Sequence, residues 1–122
     1  MIRGVRGATT ISEDREEEIV SATTELLAEM IEANSLEAES VSNIWFTVTA
    51  DIKAAFPAKA TRQFQGWEYV PVMCAQEIPV PGSLPLCIRV MLTADIAGAQ
   101  SEVKHIYLRK ATRLRPDLSQ TK

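Results

Sequence analysis

The chain has 122 residues and a mass of 13.5 kDa, with 46% hydrophobic and 24% charged side chains and a formal net charge of −3. That is one ordinary domain's worth of chain, and its near-average composition excludes a disordered, collagenous or disulfide-scaffold protein. Residues 1–122 are read as a single domain that buries roughly 65% of its unfolded surface, enough for a core but not for a deep private cavity, so a partner subunit is expected to wall off any site.

The longest apolar run is the four residues Val72 to Ala75, far short of a membrane span or signal-peptide core, which points to a cytoplasmic protein with no membrane partner. Five basic and eleven acidic side chains fall in residues 1–61, against eight basic and five acidic in residues 62–122. A polyanion binder carries a larger basic surplus, and only the stretch Arg109, Lys110, Arg113, Arg115 could serve one, so no nucleic-acid partner is expected.

In chain order, Ile2 to Thr9 reads as a first strand. Ser12 is positioned to cap a helix whose first turn holds Glu13, Asp14 and Glu16, acids suited to the positive end of the helix dipole. Ile19, Thr23, Leu26 and Met30 then recur at helical spacing, with the end near Asn34 and Ser35. Asn43 to Ala50, dense in β-branched and aromatic residues, is a second strand. Pro57 opens a short helix that Gly66 closes, with Lys59 and Arg62 on one face. A third strand near Val70 to Ala75 contains Pro71, which marks an edge or a start. Pro79, Pro81, Gly82 and Pro85 force an irregular connection to a fourth strand, Leu86 to Thr93, and a fifth runs from Val103 to about Ala111. The fold class is α+β, a mixed sheet with helices packed on one face.

One histidine, His105, and two cysteines, Cys74 and Cys87, cannot build a structural zinc site, and five dispersed glycines form no nucleotide-binding loop, so no metal or cofactor is expected. Alternation puts Cys87, Arg89, Met91 and Thr93 on one face of the fourth strand, and Arg6 on a face shared with Gly4 and Ala8, whose small side chains leave room above the sheet. An arginine on a central strand must be paired. Either Glu77, Glu68 or a neighbouring chain's acid neutralises each one, or each points to solvent, or the arginines converge on a pocket for a carboxylate or phosphate. Taken singly, Lys59 and Arg62 read as surface charges, Tyr107 as a packing residue and Cys87 as a small core hydrophobe. Glu77 is the acid of the strand-rich half set to face the cations.

Five ordered blocks go further. They are Arg3-Gly4-Val5-Arg6-Gly7-Ala8-Thr9-Thr10; Phe56-Pro57-Ala58-Lys59-Ala60 with Arg62; Gly66-Trp67-Glu68-Tyr69-Val70-Pro71-Val72 leading to Cys74-Ala75-Gln76-Glu77; Cys87-Ile88-Arg89-Val90-Met91; and His105-Ile106-Tyr107-Leu108 running to Leu114-Arg115-Pro116-Asp117. Together they resemble the monofunctional α/β-type chorismate mutases, a family distinct from the all-helical enzymes of the same activity. Met73 and Ile78 depart from that pattern, which has a small hydroxyl residue and a methionine there.

The resemblance implies a homotrimer arranged as a pseudo α/β-barrel, with sites between adjacent subunits, and the cofactor-free rearrangement of chorismate to prephenate. It implies that Arg6 holds a substrate carboxylate with help from Tyr107, that Arg89 reaches the ether oxygen, and that Glu77 accepts from the ring hydroxyl with the Cys74 thiol nearby. Lys59 and Arg62 would line the entrance, Phe56, Val72, Met73 and Leu114 the walls, and the chain after about residue 117 would be a tail. The alternatives are a trimeric regulatory module that binds a small carboxylate without catalysis, and imine-hydrolysing chemistry on a comparable trimer.

Overall fold

The computed structural model describes residues 1–114. Strand β1 (Ile2–Thr10) leads into helix α1 (Glu16–Asn34), followed by β2 (Val41–Val48), a 3-10 helix (Pro57–Gln63), β3 (Val72–Gln76), β4 (Cys87–Asp95) and the short β5 (Ile106–Tyr107). A 3-10 turn over Arg109–Arg113 closes the described chain. The five strands form one sheet in the order β3-β2-β4-β1-β5. β4 runs antiparallel to both β1 and β2, whereas β3 and β5 add in parallel at the two edges, which makes the sheet mixed, as expected.

Alternation sorts the strands into two unlike faces. Val5, Ile44, Phe46, Val90 and Leu92 lie under Leu26, Leu27 and Met30 of α1 in the main core. A smaller cluster, Ile11, Ile19, Ala22, Ile52 and Ile88, extends it towards the start of the helix. Gly7 sits where α1 comes closest, since a Cβ there would lie 2.5 Å from the Met30 sulfur and 3.1 Å from a Leu26 methyl. The opposite face carries no α-helix, and Trp45, Met73 and Met91 stand 43%, 59% and 42% exposed on it. Among the described residues no helix is long and apolar enough to cross a membrane.

Three local expectations are corrected. Ser12 does not cap α1: the helix starts at Glu16 behind an extended Arg15. Asp14 is committed instead to the backbone N–H groups of Lys53 and Ala54 at 3.0 Å, and the Ser12 N–H donates to Glu18 at 2.9 Å. The segment after Pro57 is a 3-10 helix that ends at Gln63, and Gly66, at φ +90°, serves the turn beyond it. The fifth strand is only two residues long, because Arg109 adopts φ +54° and turns the chain into a 3-10 helix that sets Ala111 and Leu114 against Ala8 and Tyr107. The expected end of α1 near Asn34 and Ser35 holds: Ser35 is left-handed and the Leu36 N–H donates to the Ile31 carbonyl at 2.9 Å. Arg115, Pro116, Asp117 and the tail lie outside the described residues.

Candidate active site

The face opposite α1 gathers polar chemistry through register. Thr47 of β2, Arg89 of β4, Ala8 of β1 and Tyr107 of β5 form one cross-strand row, because Thr47 pairs with Arg89, Arg89 with Ala8, and Ala8 with Tyr107. The neighbouring row runs Met73, Trp45, Met91, Arg6. Glu77 follows directly on β3, its N–H bonded to the Val48 carbonyl at 2.8 Å, and so lands beside Thr47. Ala8 leaves the space between Arg89 and Tyr107 unfilled, and a Cβ at Gly4 would meet only the Met91 sulfur, at 3.5 Å.

A cavity of about 190 Å3 opens over these rows, lined by Arg6, Ala8, Trp45, Thr47, Glu77, Arg89, Met91, Tyr107 and Leu114 among others. All four expected catalytic residues, Arg6, Glu77, Arg89 and Tyr107, line it, together with Leu114. The Arg89 Nε lies 3.5 Å from the Glu77 Oε2, and the two side chains are only 32% and 26% exposed. That Nε–H is buried without a hydrogen bond, since Glu77 is near enough for charge attraction but outside hydrogen-bond geometry. The Thr47 hydroxyl donates to the same Oε2. The Tyr107 hydroxyl is buried with no hydrogen-bond partner among the described residues, an arrangement that is rare unless something else supplies one. Arg6 has no ion pair among the described residues, and its backbone N–H donates to the His105 Nδ1 at 3.0 Å, which ties the strand under it to the segment before β5.

Glu68, an alternative counter-ion for the arginines, accepts from the Gly66 N–H in an exposed turn and takes no part. Arg109 is held by Glu25 at 3.4 Å and by the Thr10 carbonyl at 3.1 Å, which removes it from the basic stretch that a polyanion would need.

Four expected binding residues lie elsewhere in the chain. Phe56, Lys59, Arg62 and Val72 line a second cavity of about 480 Å3 between the 3-10 helix and β3, on the helix side of the sheet. Lys59 is ion-paired there with Glu16, whereas Arg62 has no ion pair among the described residues. Met73 stands exposed on the open face beside Trp45 but does not line the smaller cavity. The expectation that the Cys74 thiol lies near Glu77 fails within one chain: Cys74 packs against the helix-side core, because strand parity turns residue 74 away from residues 73 and 75. Burial pushes the Cys74 thiol up from its ordinary value. Burial also raises the Cys87 thiol, with the Arg89 charge opposing the shift, as befits a small core side chain.

Trp45, Thr47 and Met91 were not singled out as lining residues by sequence reasoning. Alternation on β2 and β4 gives their facing, but the pairing of β2 with β4 that brings them to Arg89 is tertiary information.

The chain matches the chorismate mutase type I family over residues 2–118. It is 51% identical over 122 residues to the chorismate mutase AroH of Bacillus subtilis, covering 100% of this chain and 96% of that protein. It is likewise 51% identical over 119 residues to the chorismate mutase AroH of Thermus thermophilus, covering 97% of each. Among solved structures, a chorismate mutase from Clostridium thermocellum superposes with a TM-score of 0.87 at 47% identity, covering 90% of this chain and 97% of that one. With nearly the whole chain matched in both sequence and fold, the protein belongs to the type I chorismate mutases, enzymes that rearrange chorismate to prephenate.

Proposed function

We propose that the open-face cavity performs this rearrangement by restraint and electrostatics, with its site completed by a neighbouring subunit of a homotrimer. The reaction breaks one carbon–oxygen bond and forms one carbon–carbon bond within a single molecule, so it calls for no nucleophile. Arg6 grips a substrate carboxylate, and the buried Tyr107 hydroxyl finds its missing partner there. Holding the enolpyruvyl arm in a compact conformer removes much of the entropy otherwise lost on the way to the transition state.

Arg89 donates to the ether oxygen. Negative charge grows on that oxygen as its bond stretches, so a fixed guanidinium binds the transition state more strongly than the ground state, which is what raises the chemical rate. Glu77 keeps Arg89 oriented, accepts from the ring hydroxyl and opposes positive charge developing on the ring. The observation that carries this reading is the buried, unbonded Arg89 Nε–H set against Glu77 over a vacant space, with Arg6 and Tyr107 on its rim.

The trimer reading rests on two features. Trp45, Met73 and Met91 form an exposed apolar row on the sheet face opposite α1, the kind of surface that a second chain covers. Phe56, Lys59, Arg62, Val72 and Cys74 sit on the other side of the same chain, so they reach the Arg89 cavity only as contributions from a neighbour. Lys59 and Arg62 then guard the entrance and attract the dianion, while Phe56, Val72, Met73 and Leu114 form walls.

Purified protein mixed with chorismate should consume the substrate's diene absorbance, and light scattering should return a mass near three chains. A monomer with full activity would overturn the shared site, and a trimer that leaves chorismate intact would favour the binding-module reading.

A further inference from the structure

We infer that Thr47 is a positioning residue for this reaction, acting through Glu77. The inference rests on the function proposed above. The Thr47 hydroxyl donates to the Glu77 Oε2, the same oxygen that faces the Arg89 Nε at 3.5 Å. One carboxylate oxygen is thus engaged from two directions, and the other is left to accept from a ligand. Both anchors come from fixed positions in the sheet: Thr47 lies in β2 directly opposite Arg89 in β4, and Glu77 is tied to β2 by its own N–H on the Val48 carbonyl.

The hydroxyl has a definite task in this geometry. Arg89 and Glu77 are held close enough to attract but too far apart to hydrogen-bond, so the Nε–H stays unspent. Without the Thr47 hydroxyl, nothing else among the described residues hydrogen-bonds the Glu77 carboxylate, and the carboxylate is drawn onto the guanidinium. A closed ion pair would use up the donor that the breaking bond needs and turn the acceptor away from the ring hydroxyl. Thr47 therefore preserves an open pair, which affects turnover more than binding.

The test is steady-state kinetics on Thr47→Val, which keeps the shape and β preference of the residue and removes only the hydroxyl. Hydrogen bonds to charged groups predict a fall in kcat of about tenfold or more, with KM changed less. Thr47→Ser should restore most of that loss, and Thr47→Ala should reproduce it, which guards against a folding defect in the valine variant. In a Glu77→Ala background, Thr47→Val should cost nothing further, because its partner is already gone. An unchanged kcat in Thr47→Val, or the same additional loss with Glu77 absent, would overturn the inference. Failure of the underlying reading looks different, since Glu77→Ala alone would then retain normal turnover.

Discussion

Arg89→Gln removes the guanidinium charge while leaving a hydrogen-bond donor in reach of the same space. Arg89 is 32% exposed on the central strand, beside a carboxylate that is 26% exposed, a partly buried setting in which an effective dielectric near 20 applies. At about 3 Å, a full unit charge interacts with the guanidinium by ~5.5 kcal/mol on that scale, and a half-developed charge on the ether oxygen by ~2.8 kcal/mol. Loss of one preorganised donor in other sites costs about 2.7–4 kcal/mol, so the two routes agree on a fall in kcat of about 10²–10³-fold. Glu77 remains bonded to Thr47 in the variant and is not left as an unpaired buried charge, so the fold should survive. The assay is loss of chorismate absorbance with pure variant, alongside a thermal melt. A folded Arg89→Gln protein that keeps kcat within tenfold of the parent would refute the assigned role.

Arg6→Ala should raise KM and lower kcat together, because a carboxylate clamp acts in both ground and transition states; an unchanged KM would make Arg6 structural. Gly7→Ala should destabilise the protein by about 1–3 kcal/mol in urea unfolding, since the new methyl meets Met30 at 2.5 Å, and the cost should shrink in a Met30→Ala background. Both thiols are raised by burial, so above the ordinary thiol range of about 8.5 the unfolded chain gives up protons that the folded chain keeps. Stability should therefore fall as pH rises from 7.5 to 9.5, and a Cys74→Ser/Cys87→Ala variant should show a shallower fall.

Much of the fold is legible because its signals are local. The apolar spacing of α1 and the β-branched density of β2 identify those elements without any partner, and alternation alone puts Arg6 and Arg89 on the side opposite Val5 and Val90. The start of α1 is less legible, because Asp14 is claimed by a loop some forty residues away, and no local pattern reports that. The extent of β5 depends on one residue, Arg109, entering the left-handed region, where arginine has no preference to announce it. The site follows the same division. Arg6, Glu77, Arg89, Tyr107 and Leu114 are named by motif and do line one cavity, whereas Thr47 acquires meaning only when β2 is paired with β4.

Strand parity makes the proposed sharing of the site between subunits testable in a way that no single variant can. Cys74 and Val72 point into the helix-side core while Glu77 joins the open-face cavity, yet the site proposed above gathers all three around one substrate. The two statements agree only when the β3 and 3-10 helix side of one subunit meets the Arg89 side of the next, a head-to-tail contact that closes into a ring. Two impaired variants should then rescue each other. In trimers reassembled from an equal mixture of Arg89→Gln and Lys59→Ala/Arg62→Ala chains, an interface is intact when each side comes from the chain unaltered there. Random pairing around a closed ring makes that true of about one interface in four, so activity per site should rise to about a quarter of the parent value. If each chain instead holds a whole site, no mixture can exceed the mean of its two components, and the head-to-tail arrangement fails.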